Sequence, residues 1–140
     1  MAAIESTTNP MQASLRFSAA LAGLLCLPAL AATPAELLAG YSAQAGASAS
    51  PARGQSFFQS THGREWSCAS CHGTLPVQTG MHAATGKRIA ALAPAAEAQR
   101  FSDPAKVEKW FRRNCGDVLG RECTAAEKAD VLAWLIGLRP

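Results

Sequence analysis

Valine and isoleucine are scarce in this 140-residue chain, and it holds a single tyrosine. Sheets draw on β-branched and aromatic residues, so the shortage argues against strand architecture, and no strand pattern or internal repeat stands out. Charge is also sparse, at 16% of residues, with a net value of +3. No basic stripe is clustered in the way nucleic-acid binding requires, and the balance favours at most an acidic partner. No apolar run is long enough for a spanning helix. What is abundant is alanine within a 49% hydrophobic composition. That points to a helical core of small side chains, in a length that suits one domain.

The first 32 residues read as a leader. "MQASLRFSAALAGLLCLPALAA", from Met11, places Arg16 before the apolar run Phe17 to Leu30 and ends in small residues. This is the pattern of a secretory signal peptide cleaved near Ala31 or Ala32, with Met11 a candidate start. The alternative is a membrane anchor. Lipidation at Cys26 is disfavoured because Leu25 precedes it. The expected division is a leader over 1–32 and a folded domain over 33–140. Export to the periplasm would place the domain where disulfides persist. Four cysteines then remain, Cys68, Cys71, Cys115 and Cys123, an even number in two pairs.

Helix signals recur along this domain. Thr33, Pro34 and Glu36 form a capping box with a proline start. Ser50 and Pro51 begin a short second helix containing Gly54 and Phe58. Asp103 and Pro104 start a third and Gly120 stops it. Thr124 and Glu127 cap the last, which is apolar on most of its surface and should pack on two sides. Residues 73–99 read as loop-rich, with a turn of helix near Ala95. A loop that long is usually functional or wrapped around something.

"CASCH", Cys68 to His72, is the attachment pattern of c-type haem. Two thiols two residues apart can each add to one haem vinyl group, and the adjacent histidine then lies under the iron as an axial ligand. One covalently attached haem c is the cofactor expected. A thioredoxin-like CxxC needs βαβ units that this pattern lacks. A zinc site needs four ligands, and the other cysteines have a simpler use. Around the motif, "RGQSFF" and "ADVLAWL" resemble the class I cytochrome c fold: all-α, with helices and long loops wrapped around the haem. The resemblance implies that Gly54 lets an early helix cross the last one, against Phe58 and Trp134. It also implies that a carbonyl in "IAALAP", that of Ala91, accepts from the haem histidine.

The opposite face of the iron is less obvious. Electron-transfer members of that fold often close it with methionine. Met81 is only nine residues beyond His72, and His62 and His82 are the other candidates. The helix from Pro104 offers an alternative. At about 100° per residue, Val107, Trp110, Phe111 and Val118 share a stripe. Lys106, Lys109, Arg112 and Arg113 fall opposite, and Asn114 falls in the centre of the stripe. Burying an unpartnered amide costs about 1–3 kcal/mol. Asn114 must therefore bond either a backbone group or the iron.

"TGK", "LAP", "RFSDPAKVEKWFRRNC" and "LGRECTAAEKADVLAWL" together resemble the sphaeroides haem protein family of high-spin cytochromes c, over about Thr33 to Leu138. The resemblance implies that Asn114 is a weak ligand of oxidised iron, displaced on reduction so that oxygen or nitric oxide can bind. It implies a disulfide beside it between Cys115 and Cys123. It also implies electron donors in a dihaem cytochrome c and a membrane cytochrome b. Two other functions stay open: a six-coordinate electron carrier, and a small haem enzyme reducing oxygen, peroxide or nitrogen oxides. For the latter, spacing alone places no distal acid–base pair.

Overall fold

The structure is a computed structural model that describes residues 31–140. The leader read over 1–32, Cys26 included, lies outside the described residues up to residue 30. The elements run α1 (Pro34–Ala45), α2 (Pro51–Gln59), α3 (Cys68–His72), β1 (Gly80–Met81), β2 (Arg88–Ile89), α4 (Pro104–Leu119) and α5 (Ala125–Gly137).

Local chemistry sets the helix ends. The side chains of Thr33, Ser50, Asp103 and Thr124 each accept from an amide three residues on. This satisfies donors that the first turn leaves free. Proline occupies the first turn of α1, α2 and α4. Gly46 and Gly120 end α1 and α4 at φ 64° and 72°, where a side chain would be strained.

α5 is the centre of the core. It packs against α1 on one side and α2 on the other, and Ala129, Leu132 and Leu135 are almost wholly buried. At the α2–α5 crossing a Cβ on Gly54 would overlap the carbonyl of Asp130 and come within 2.8 Å of the Val131 nitrogen. The missing side chain is what allows the approach. One turn on, Phe58 meets Trp134 with ring centroids 5.0 Å apart, so the glycine and its aromatics stand where the class I resemblance puts them. Asp130, on α5, accepts from the Ser50 amide at 2.6 Å and from Arg53 at 2.7 and 2.8 Å. That joins the start of α2 to the middle of α5.

Three expectations need correction. Residues 73–99 are not all loop: Gly80 pairs with Ile89 and Met81 with Arg88 in a two-stranded antiparallel hairpin. The segment around Ala95 is turns rather than a turn of helix. Trp110 is not on the buried side of α4 but 43% exposed, with the Arg113 guanidinium 5.6 Å from its ring centroid. The buried residues of α4 are Val107, Cys115 and Val118. The core-facing side is therefore turned toward Cys115, and Trp110 is carried to the margin.

Candidate functional site

The CASCH segment is itself a helix, α3, of five residues. Ser67 and Ser70 form a reciprocal capping box at its start. The helical backbone brings Cys71 and His72 onto adjoining positions, with Cys68 one turn earlier. Gly80 of β1 lies directly against this turn: a Cβ there would overlap the Cys71 carbonyl and reach the His72 Cα at 3.0 Å. The hairpin thus covers α3 by close backbone approach, and the Ala83 amide donates to Cys71 Sγ at 3.2 Å.

Cys68 and Cys71 are free thiols, each half-buried. Burial pushes the Cys68 thiol up to about 11, so it is protonated at neutral pH. A dithiol oxidoreductase requires the reverse, a depressed nucleophilic thiol. Burial lowers His72 to about 4, with the positive charge of Arg100 acting in the same direction. The imidazole is neutral at pH 7, the state in which it can ligate a metal. Its ring centroid lies 6.1 Å from that of Phe58, so it rests on the α2–α5 core.

The Ala91 carbonyl, expected to accept from His72, is engaged elsewhere. Arg100 donates to it through Nε at 2.6 Å and to the Ala90 carbonyl through Nη2 at 2.8 Å. The guanidinium fork reaches back across the 91–100 turn and clasps two successive carbonyls. Pro76, fully buried, accepts instead from the amides of Leu92 and Ala93 at 2.9 and 3.0 Å. Arg100 and Gly80 shape the surroundings of the CxxCH turn, and sequence reasoning missed both. The arginine gives no signal beyond a lone cation at the end of an alanine-rich loop, and the glycine's role depends on a pairing nine residues downstream.

Asn114 is half-buried and falls between Val107 and Trp110 around α4, about 20° from the first and about 40° from the second. Among the described residues, no buried side-chain polar atom lacks a hydrogen-bond partner, and none donates to or accepts from the Asn114 amide. Its neighbour Cys115 is joined to Cys123 by a disulfide, with the Cα atoms 5.6 Å apart.

The other candidates have local engagements. His62 Nε2 is 2.7 Å from the Phe57 carbonyl, and its ring lies tilted against that of Phe57 with centroids 4.4 Å apart. His82 Nδ1 accepts from the Ala84 amide at 3.2 Å inside the hairpin turn. Met81 is exposed on β1.

The residues present fit a c-type haem. There are two free thiols and a neutral imidazole on one short helix, and an amide with no described partner on another. Three large apolar side chains, Leu75, Met81 and Trp110, are also left at the surface.

Helical architecture and a CxxCH turn define a c-type haem cytochrome. The chain matches the family model "Domain of unknown function (DUF1924)" over residues 44–135, and it belongs to that family. It is 52% identical over 127 residues to the cytochrome c-type protein SHP of Cereibacter sphaeroides, covering 86% of this chain and 95% of the relative. Among solved structures it is similar to oxidised SHP, described as an oxygen-binding cytochrome c. The TM-score there is 0.73 at 49% identity, over 77% of this chain and 99% of the other. It is also similar to the solution structure of cytochrome c'' from Methylophilus methylotrophus, described in terms of haem-ligand detachment. That match has a TM-score of 0.65 at 34% identity, over 76% and 94% of the two chains. The fold is the all-α class I cytochrome c-like one. No helix among the described residues is long and apolar enough to cross a membrane.

Proposed function

We propose that this is an exported, periplasmic monohaem cytochrome whose iron has one fixed and one displaceable protein ligand. It takes up small diatomic ligands such as oxygen or nitric oxide when reduced and exchanges electrons with a redox partner. Cys68 and Cys71 would hold the haem through thioether bonds, and His72 would be the permanent ligand. When bound, the haem iron supplies the redox couple and an exchangeable coordination position.

The observation that carries this reading is Asn114: a half-buried amide without a described partner, on α4 and next to a disulfide. A neutral amide oxygen is a hard, weak donor that suits ferric iron better than ferrous. Asn114 would therefore hold the oxidised site and release the reduced one. Support comes from the two relatives, one described as binding oxygen and the other in terms of ligand detachment. Donors in the form of a dihaem cytochrome c and a membrane cytochrome b complete the proposal.

The test is the oxidised visible spectrum of the holoprotein against Asn114→Ala. The variant should lose the ligand-field bands of amide coordination while still binding carbon monoxide when reduced. Identical oxidised spectra would make Asn114 an ordinary helix residue, and a low-spin reduced form indifferent to carbon monoxide would favour the plain six-coordinate carrier.

A further inference from the structure

α4 buries Val107, Cys115 and Val118, but its backbone does not run closely alongside another element, unlike α1 and α2 against α5. A cleft of about 220 Å³ lies between α1 and the start of α4, lined by residues that include Leu37, Tyr41, Pro104 and Glu108. What spans it is a side-chain cluster. Glu108 accepts from Tyr41 Oη of α1 at 2.7 Å and from Lys128 Nζ of α5 at 2.7 Å. The Lys128 ammonium lies 5.5 Å from the Tyr41 ring centroid and 5.9 Å from that of Phe111. Tyr41 meets Phe111 edge-on at 5.9 Å. One carboxylate of α4 thus reaches two other helices at once.

We propose that Glu108, gripped by Tyr41 and Lys128, is a positioning residue that sets where α4 presents Asn114. This rests on the reading of Asn114 given above. Asn114 is six residues beyond Glu108, about 9 Å along a stiff helix, and immediately precedes disulfide-bonded Cys115. The amide sits between two tethers. With the first cut, α4 can tilt and roll about the second, which turns the Asn114 side chain to a new direction.

The cluster is well suited to such a hold. The Lys128 side chain is only 13% exposed and Glu108 is 41% exposed, so the pair is partly shielded from water. Burial alone would raise the Glu108 carboxyl, but hydrogen bonds from Lys128 and Tyr41 and the charges of Lys128 and Arg112 hold it below the usual carboxylate range. It is ionised at neutral pH, and charge-assisted bonds are the strong ones.

The test uses the holoprotein carrying Glu108→Ala, Glu108→Gln or Tyr41→Phe, each with Asn114 and with Asn114→Ala. The readout is the rate at which added imidazole binds the oxidised protein, with the oxidised spectrum alongside. Glu108→Ala should speed binding about tenfold, the scale that loss of charge-assisted bonds can impose on an equilibrium, and should leave the rate unchanged where Asn114 is already alanine. Glu108→Gln keeps an acceptor for Tyr41 and should fall between. Tyr41→Phe should shift the rate the same way by less, and it decides the matter should Glu108→Ala not fold. A lowered melting temperature with unaltered rate and spectrum overturns the positioning role, as does an equal acceleration in the Asn114→Ala background. An Asn114→Ala protein indistinguishable from wild type overturns the Asn114 reading and this proposal with it. An effect of Asn114→Ala without one of Glu108→Ala or Tyr41→Phe overturns the positioning role alone.

Discussion

Replacing Gly54 by alanine should destabilise the protein, although alanine is the better helix former. In a helix interior the exchange is worth about 1 kcal/mol in favour of alanine. Gly54 of α2 has no room for it: the added Cβ would overlap the Asp130 carbonyl and press on the Val131 nitrogen at 2.8 Å. Both are backbone of the central helix, so no rotamer change relieves the overlap. α2 must lift from α5, which loosens the Phe58–Trp134 contact and stretches the Arg53–Asp130 bonds. Overpacking of this kind costs about 1–3 kcal/mol or more. Taking the upper value, the net loss is about 2 kcal/mol, or a fall in melting temperature of about 8–16 °C for a domain near 100 residues. The assay is thermal unfolding of the holoprotein followed by far-ultraviolet circular dichroism. Gly40→Ala on α1 is the matched control: nothing lies within 4 Å of its Cβ position, and it should raise the melting temperature by a few degrees. An unchanged or raised melting temperature for Gly54→Ala would refute the close-crossing argument.

Cys68→Ala with Cys71→Ala should leave no covalent haem and a molten or degraded chain; a normally folded, haem-free double variant would count against the cytochrome reading. Cys115 and Cys123 should resist alkylation until reduced, and replacing both by serine should cost about 2.5 kcal/mol from loop closure over so short a span; free thiols in freshly isolated protein would contradict this. Acid should weaken the fold through Asp130. Burial would raise its carboxyl, but bonds from Arg53 and the Ser50 amide hold it below its ordinary 3.8. A depressed folded value means the stabilisation is complete above about pH 4 and is lost as pH falls through the lower folded value. Asp130→Asn should therefore flatten the acid limb of a stability–pH curve, and an unaltered limb would show that Asp130 contributes nothing there.

What was legible in the sequence was what local chemistry decides. Thr33, Ser50, Asp103 and Thr124 cap helices through bonds spanning three residues, so each start could be read directly. The two thiols and His72 lie within five residues, and their chemistry follows from spacing. Gly54, Phe58 and Trp134 were placed by resemblance, and their contact joins helices some 80 residues apart. Placement across the chain was harder. A helical wheel fixes the angles between Trp110, Asn114 and Val118 but not which angle faces the core. That is set by where Cys115 is drawn in, and it leaves Trp110 partly exposed. The Gly80–Ile89 pairing uses two residues per strand, too few for any alternation to show. Arg100 takes the Ala91 carbonyl because the turn happens to return it there, and nothing in the loop's composition announces that.

The same division between local and distant determinants runs through the site. The His72 side is fixed by short-range structure: a capped turn, two thiols within it, Gly80 laid against its backbone and Phe58 beneath the ring. The Asn114 side depends on α4, which is held by Val107 and Phe111 against the core, by the Glu108 cluster and by the disulfide. Under the proposed function these halves have different requirements. A permanent ligand should not move, and covalent tethering to a short helix on a packed core gives it that. A ligand that leaves on reduction needs a second stable position within a few kcal/mol of the first. A helix embedded like α5 could not supply one, because displacing it would open the core. A helix held by a few side chains can shift by relaxing one of its ties, and the Glu108 cluster, unlike the disulfide, can relax without breaking a covalent bond.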